Sequence, residues 1–377
     1  MIMNMPGRAT GKAILIGGLF LTACNPVAGA ASVVEAMPTQ APPTEPPSPT
    51  FEPPPATATP FQALAPTPIP AYALTRAGCC GHPSWGVDSN WVLFLDRPRI
   101  DAQPGLYGVP ITGGEPRLIH PQVGIYSADF SLVAYKEQGI TYVERWADGT
   151  RWTIPNSGRP VYFSPSGQRV AWDISSEGIN HPDLRQHSIW ISEQDGSDAR
   201  QIITIHGGRF VGWLANEEQF IVSGRLSPYT TGGIWRVNVD DGAATLLMEA
   251  ERPRDLLLSP QGGWLAFIIR FEQGEDRNGL WILSTADGQA RRLDAFGSYR
   301  WRDEGALLLI PYDPGAGLAI WQYDASTGQG VQLTDPAVHQ FEIANNDWEV
   351  SPDGSKVVYL SADDYSLWVL QLPAGQP

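Results

Sequence analysis

Five of the six histidines in this chain, His82, His120, His181, His206 and His339, fall in stretches that differ from one part of the sequence to the next. Imidazole moves protons near neutral pH and is the commonest protein ligand for a metal. His82, His120 and His339 would stand on neighbouring units of the repeat described below. A three-ligand site for a divalent metal above a central channel is therefore one expectation, and solvated loop imidazoles are the other. A second reactive feature is the adjacent pair Cys79-Cys80. A bond between neighbouring cysteines must bridge Cα atoms about 3.8 Å apart, below the usual range of about 4.4–6.8 Å. Such a vicinal disulfide would stiffen its loop and offer a small apolar plate to a ligand; the alternative is a pair of reduced thiols. Charged side chains crowd three further stretches: Arg97 and Arg99; His181, Asp183 and Arg185; Glu272, Glu275 and Arg277. These eight are the expected binding residues. The sequence holds no Gly-x-Ser-x-Gly elbow, phosphate-binding loop, dinucleotide glycine pattern, His-Glu-x-x-His or EF-hand ligand run. No catalytic residue is assigned, and no cofactor is expected beyond that possible divalent metal.

A repeated phrase positions these residues. Trp235, Trp281, Trp321 and Trp368 each stand seven residues before a glycine, at Gly242, Gly288, Gly328 and Gly375. Tyr107 and Tyr142 hold the same slot before Gly114 and Gly149, and Trp190 precedes Gly196 by six. Upstream lies a second phrase: Phe163-Ser-Pro-Ser-Gly, Leu258-Ser-Pro-Gln-Gly and Val350-Ser-Pro-Asp-Gly, with worn forms beginning at Trp85, Tyr126, Trp213 and Trp301. Aligned on Gly86, Ser127, Ser164, Leu214, Ser259, Arg302 and Ser351, the seven repeats average 44 residues. Four-stranded propeller blades recur at ~40–45 residues. The apolar runs are short, rich in β-branched and aromatic residues, and bounded by Gly, Pro and Asp, as strands require.

Each repeat therefore reads as strands A, B, C and D. The strand-C tryptophan is expected to pack between neighbouring units, burying ~150–250 Å². The seventh repeat ends after strand C, while Tyr72-Ala-Leu-Thr-Arg ahead of the first reads as a stray strand D. Pairing the two would leave no open sheet edge. The expected fold is all-β, a seven-bladed propeller of four-stranded blades closed by an N-terminal strand on the last blade. Strand alternation puts the short A–B and C–D turns on one face and the variable B–C and D–A loops on the other, where function concentrates. That face comprises residues 96–103, 173–186, 225–231, 271–278 and 312–317, with D–A loops at 78–83 and 336–346.

The first fifth of the chain is of another kind. Arg8 and Lys12 precede an apolar run, Ala13 to Leu21, and then Leu21-Thr22-Ala23-Cys24. Nine apolar residues are too few for a transmembrane helix, which needs roughly 20. A charged start, apolar middle and small-residue end match an export signal. The expected division is a signal peptide at 1–23, a Pro/Thr/Ala-rich linker at 24–71 and the propeller at 72–377. The linker composition favours extended polyproline II and cannot bury a core, so it is either a stalk or a solvated tether. The formal charge of −15 argues against nucleic acid, and against anionic lipid as a partner for the head itself.

The repeat signature, aromatic-Ser-Pro-Asp/Ser-Gly followed by Ile/Val-Ala-Phe/Tyr and then Ile-Trp, resembles the WD40-like propeller repeat of TolB and of prolyl-oligopeptidase-type propellers. The resemblance covers roughly residues 72–373. TolB carries an α/β domain before six blades, whereas a proline-rich tract and seven repeats stand here. The four residues ending in Cys24 resemble the bacterial lipobox, which implies lipidation of Cys24 and anchoring to a membrane of the bacterial envelope. An ordinary signal peptide cut nearby is the alternative. Two functions are expected: a monomeric extracytoplasmic module binding a protein, peptide or glycan through the loop-rich face, or a metal-dependent lyase or hydrolase, since metal-using lyases are built on similar propellers.

Overall fold

Short apolar runs closed by tight turns fold here into antiparallel meanders. The computed structural model describes residues 69–76, 80–176, 181–272, 276–312, 318–339 and 341–374. Among them every regular element is a strand, apart from one 3-10 turn at Pro182–Leu184. Repeat five shows the plan: strand A at Arg254–Leu258, B at Trp264–Ile269, C at Gly279–Ser284 and D at Ala290–Leu293, hydrogen-bonded in that order. Among the described residues five sheets have four strands and a sixth has seven. The chain is an all-β propeller.

The Ser of the repeated phrase closes the A–B turn. Its hydroxyl accepts the backbone N–H five residues on, from Leu132 to Ser127 at 3.0 Å, Trp264 to Ser259 at 2.9 Å and Lys356 to Ser351 at 2.9 Å. All three serines are buried. The glycine three residues after the Ser takes a left-handed conformation, φ +74° at Gly167, +79° at Gly262 and +66° at Gly354. In the worn repeats Ser89, Phe130 and Glu217 occupy that slot with φ +57°, +58° and +56°, a conformation that disfavours side chains with a Cβ.

An aspartate two residues after the serine often completes the turn. Asp353 accepts hydrogen bonds from Ser351 Oγ (2.6 Å), Ser355 N (3.0 Å) and Lys356 Nζ (3.2 Å). Burial pushes its carboxyl up, but these donors together outweigh burial and hold it far below the usual carboxylate range. Asp129, with the same serine partners, is likewise lowered by donors that outweigh burial. A folded-state pKa below the unfolded one stabilises the fold above the unfolded value of about 4, and that contribution is lost as pH falls through the folded value. The melting temperature is therefore expected to fall below about pH 4, and to fall less steeply in Asp353→Asn. Melting curves of both proteins across an acid series check this, and parallel curves would remove the turn carboxylate as a cause.

The core lies between repeats. Successive clusters join strands of neighbours: Leu132 and Val143 with Val170 and Trp172, Ile189 with Phe220 and Val237, Ile221 with Phe267, Ala266 with Leu307 and Leu309, Leu308 with Val357. Val92 and Phe94 of the first repeat share a cluster with Val358 and Val369 of the last. Indole N–H groups of strand A cross between repeats to a neighbour's backbone: Trp85 to Glu349 O at 3.1 Å, Trp213 to Tyr162 O at 3.0 Å and Trp301 to Leu257 O at 2.9 Å. The recurring strand-C tryptophans pack against these clusters between repeats, as their recurrence predicts, but at the edge of each cluster. Trp190, Trp235, Trp281, Trp321 and Trp368 are half-buried, flanking the inter-repeat clusters instead of filling them. Trp235 and Trp281 give their N–H to carbonyls of Gly224 and Arg277 at the B–C end of their own repeats.

Two strands depart from the plan of four consecutive strands. Ala71–Ala73 pairs antiparallel with Leu367–Gln371, Tyr72 opposite Val369. The pairing is extended by Leu74 N to Leu367 O (2.7 Å) and Leu367 N to Thr75 Oγ1 (2.9 Å). Arg200–Trp213, 14 residues long, serves as strand D of repeat three and strand A of repeat four without a break, which makes the sixth sheet seven-stranded. Its pairing with Gln219–Arg225 shifts register between His206 and Arg209, and again between Phe210 and Gly212.

Candidate functional site

That register shift produces a cavity. Gly207 and Gly208 form an irregular segment within the strand Arg200–Trp213. Gly207 has φ +64°, and a Cβ there would meet the Cα of Asp183 at 2.6 Å. The absence of side chains lets the 3-10 turn Pro182–Leu184 lie directly on the strand, with Gly207 N donating to Arg185 O at 2.9 Å. Beside this contact opens a cavity of about 450 Å³ on the B–C/D–A face, walled by residues of repeats three, four and five.

A line of ion pairs holds the wall. The guanidinium of Arg252 grips Asp183 with two parallel bonds, Nε to Oδ1 at 2.9 Å and Nη2 to Oδ2. Asp183 is buried, and the Arg252 guanidinium holds its carboxyl below the usual range despite that burial. Arg225 donates to Glu251 Oε2 at 2.5 Å, and Glu251 Oε1 accepts Gly232 N at 2.8 Å. Glu251 N donates to Glu272 Oε1 at 3.0 Å, and Glu272 Oε2 meets Arg277 Nε at 2.8 Å. Planar guanidinium–carboxylate pairs of this kind fix orientation as well as charge.

The structure thus brings together two of the stretches marked by sequence. Asp183 and His181 line the cavity, Arg185 supplies its carbonyl to the supporting contact, and Glu272 and Arg277 extend the network. Glu275 lies outside the described residues. Arg97 and Arg99 stand exposed on the first repeat and do not line this cavity; Arg99 faces Asp101 at 3.7 Å. Sequence reasoning missed Arg252 and Arg254 and passed over Arg209. The run Glu251-Arg-Pro-Arg254 was the available signal: four residues dense in charge on a D–A connection too short to stand out.

The three histidines assigned to a metal are not brought together; each has its own partner. His82 Nδ1 meets Asp347 Oδ1 at 2.9 Å. His120 is buried against Trp146 with its Nδ1 3.3 Å from Tyr126 Oη, and burial lowers its pKa. His339 Nε2 accepts Ile69 N at 2.5 Å. Among the described residues no group of three or more His, Cys, Asp or Glu could hold a metal ion. The offsets of these histidines from the register points differ, so neighbouring repeats carry them at different depths. Cys80 is buried and disulfide-bonded; Cys79 and Cys24 lie outside the described residues. Among the described residues no helix is long and apolar enough to cross a membrane.

A second cavity, of about 430 Å³, is lined by His82, Asp347, Arg300 and Glu349. Glu349 receives Arg300 Nε at 2.8 Å, yet burial raises its carboxyl above the ordinary value.

Large apolar side chains are exposed mostly at one end of the repeats. Ile100, Tyr229 and Phe271 are 93 %, 95 % and 92 % exposed, and Leu184, Tyr312 and Val338 join them on B–C and D–A loops. Among the described turns of the opposite face, Val87 is the one such side chain.

No family model and no curated protein matches this chain. Solved structures do. An oligogalacturonate lyase from Vibrio parahaemolyticus superposes with a TM-score of 0.57 at 9 % identity, over 83 % of this chain and 96 % of that one. An oligogalacturonate lyase in complex with manganese gives 0.57 at 9 % identity, over 82 % and 97 %. TolB from Acinetobacter baumannii gives 0.41 at 16 % identity, over 77 % and 66 %. At these identities the likeness establishes the architecture alone: the chain folds as a β-propeller.

Proposed function

We propose that this chain is an extracytoplasmic binding module, held to a bacterial membrane by lipid on Cys24, raised on the proline-rich segment 24–71, and engaging a protein or peptide through the B–C/D–A face of a propeller at 72–377. In this reading the signal peptide is 1–23. The propeller has seven blades, the seven-stranded sheet counting as two that share Arg200–Trp213, and Ala71–Ala73 serves as the outer strand of the last blade. The pairing of that strand with Leu367–Gln371 supports this arrangement. The vicinal pair Cys79-Cys80 forms the disulfide of Cys80 and stiffens the loop that enters the first blade.

One observation carries the binding reading: the segregation of exposed aromatic and aliphatic side chains to the loop-bearing face. Isolated exposed apolar groups are ordinary, whereas a face that gathers them marks an interaction surface. The test is photo-crosslinking in intact cells from a reactive amino acid at Tyr229, with Val87 as the opposite-face control. Adduct yield about tenfold higher from position 229 is expected of an interface contact; equal yields from both faces would sink the reading. A metal-dependent lyase or hydrolase is the second reading. It is favoured by the second cavity, where the carboxyl of Glu349, raised by burial, stands beside Arg300 with His82 and Asp347 in the same wall.

A further inference from the structure

The cavity between repeats three, four and five carries more positive charge than its own acids neutralise. Four guanidiniums, of Arg209, Arg225, Arg252 and Arg254, line it against two carboxylates, Asp183 and Glu251. Arg225 and Arg252 are engaged by those two carboxylates. Arg209 and Arg254 are exposed, and among the described residues neither has a carboxylate within ion-pairing distance. They sit on consecutive innermost strands, Arg200–Trp213 and Arg254–Leu258, so both guanidiniums border one opening. In a chain of formal charge −15, a cavity with two uncompensated cations is a local reversal of sign.

A second observation points to a guest. His206, also in the cavity wall, is only 8 % exposed, and its Nδ1 has no hydrogen-bond partner. Buried polar atoms left without partners are uncommon and costly, and ask for a missing water, ion or ligand.

We infer that this cavity is a carboxylate-binding subsite, in which Arg209 and Arg254 receive an acidic side chain of the bound protein or peptide. The inference rests on the binding reading above and names the chemistry of the ligand at that face. Guanidinium is a planar fork that matches the two coplanar oxygens of a carboxylate. Phosphate sites draw heavily on backbone N–H groups from loops or helix N-termini. Here much of the wall is strand backbone already used in pairing, as at His206 with Arg225 and Arg209 with Ser223. The ion pairs of Asp183 with Arg252 and of Glu251 with Arg225 hold other parts of the same wall in place.

Calorimetric titration of the full chain with the blocked peptide acetyl-Gly-Glu-Glu-Gly-amide tests this. The glutamine counterpart, acetyl-Gly-Gln-Gln-Gly-amide, and inorganic phosphate serve as comparators. The acidic peptide is expected to bind at least about tenfold more tightly than the glutamine peptide or phosphate, and more weakly as salt rises. Arg209→Gln/Arg254→Gln should abolish that preference with the melting temperature unchanged, because neither side chain supports the fold. Arg97→Gln/Arg99→Gln, on the first repeat, should leave it intact. Failure of the acidic peptide to bind, equal binding of the glutamine peptide or of phosphate, or an unaltered preference in the Arg209/Arg254 variant would each overturn the inference. If crosslinks from position 229 persist in any of those cases, the binding face stands and the carboxylate subsite alone falls.

Discussion

Gly208→Ala is expected to be the most damaging single-methyl change in the head. A Cβ at this position would lie 1.7 Å from the carbonyl oxygen of Ser223 and 2.6 Å from the Cα of Gly224. Both are backbone atoms of the paired strand, so no side-chain rotation relieves the clash. The strands must part, and with them the contact that seats Asp183 beside Gly207. Overpacking alone costs about 1–3 kcal/mol, and forced separation of a paired strand places this change at or above about 4 kcal/mol. For a domain of this size that corresponds to about 6 °C or more of melting temperature. Gly305→Ala is the control: its Cβ would meet nothing closer than Asp303 Oδ1 at 3.9 Å, and its φ is not left-handed. Thermal melts of both variants decide the matter. A Gly208→Ala protein melting within about 2 °C of the parent would show that the irregular segment is pliable and the cavity wall not fixed by it.

Removal of residues 69–76 is expected to be comparably severe, for a different reason. Ala71–Ala73 are exposed and contribute little burial themselves. Their flanks do the anchoring: Leu74 is buried among Trp85, Val92 and Val369, and Ile69 among Ile320, Phe341 and Leu372. Losing two buried aliphatic side chains costs about 3–6 kcal/mol on transfer grounds. The strand Leu367–Gln371 would also be left with a free hydrogen-bonding edge, an invitation to pair with another molecule. The shortened chain should melt about 5–10 °C lower and form oligomers on size-exclusion chromatography. A monomeric product with an unchanged melt would mean that the pairing is dispensable.

Much of the architecture was legible because it is periodic. The serine of each Ser-Pro phrase, the glycine three residues on, and the alternating strand runs gave repeat length and strand order, and the turn geometry explains each of them. What periodicity could not convey was the depth and connectivity of individual elements. Arg200–Trp213 runs from one repeat into the next through Gly207-Gly208, a continuity that the repeat pattern does not signal, because an irregular register accommodates two residues without Cβ. The strand-C tryptophans recur as regularly as core residues would. They lie half-buried at the edges of the clusters between repeats, with Trp235 and Trp281 reaching a carbonyl at the loop end, while the less regular Trp85, Trp213 and Trp301 give their indole N–H to a neighbouring repeat's backbone. Asp183 and Glu272 were found from charge density, but their partners Arg252 and Glu251 sit far away in sequence and only folding discloses the pairing. The histidines failed as a group for the same reason: residue type was visible, and distance was not.

The shared strand Arg200–Trp213 has a mechanical consequence. Among the described residues repeats three and four are the two joined in one sheet by an unbroken strand. A twist of either must tear ladder hydrogen bonds before it can widen the gap between them. The cavity bordered by Arg209 and Arg254 is therefore set where two repeats share one strand. A ligand of the proposed subsite would meet a wall held by strand pairing, and ordering the host would cost it little on docking.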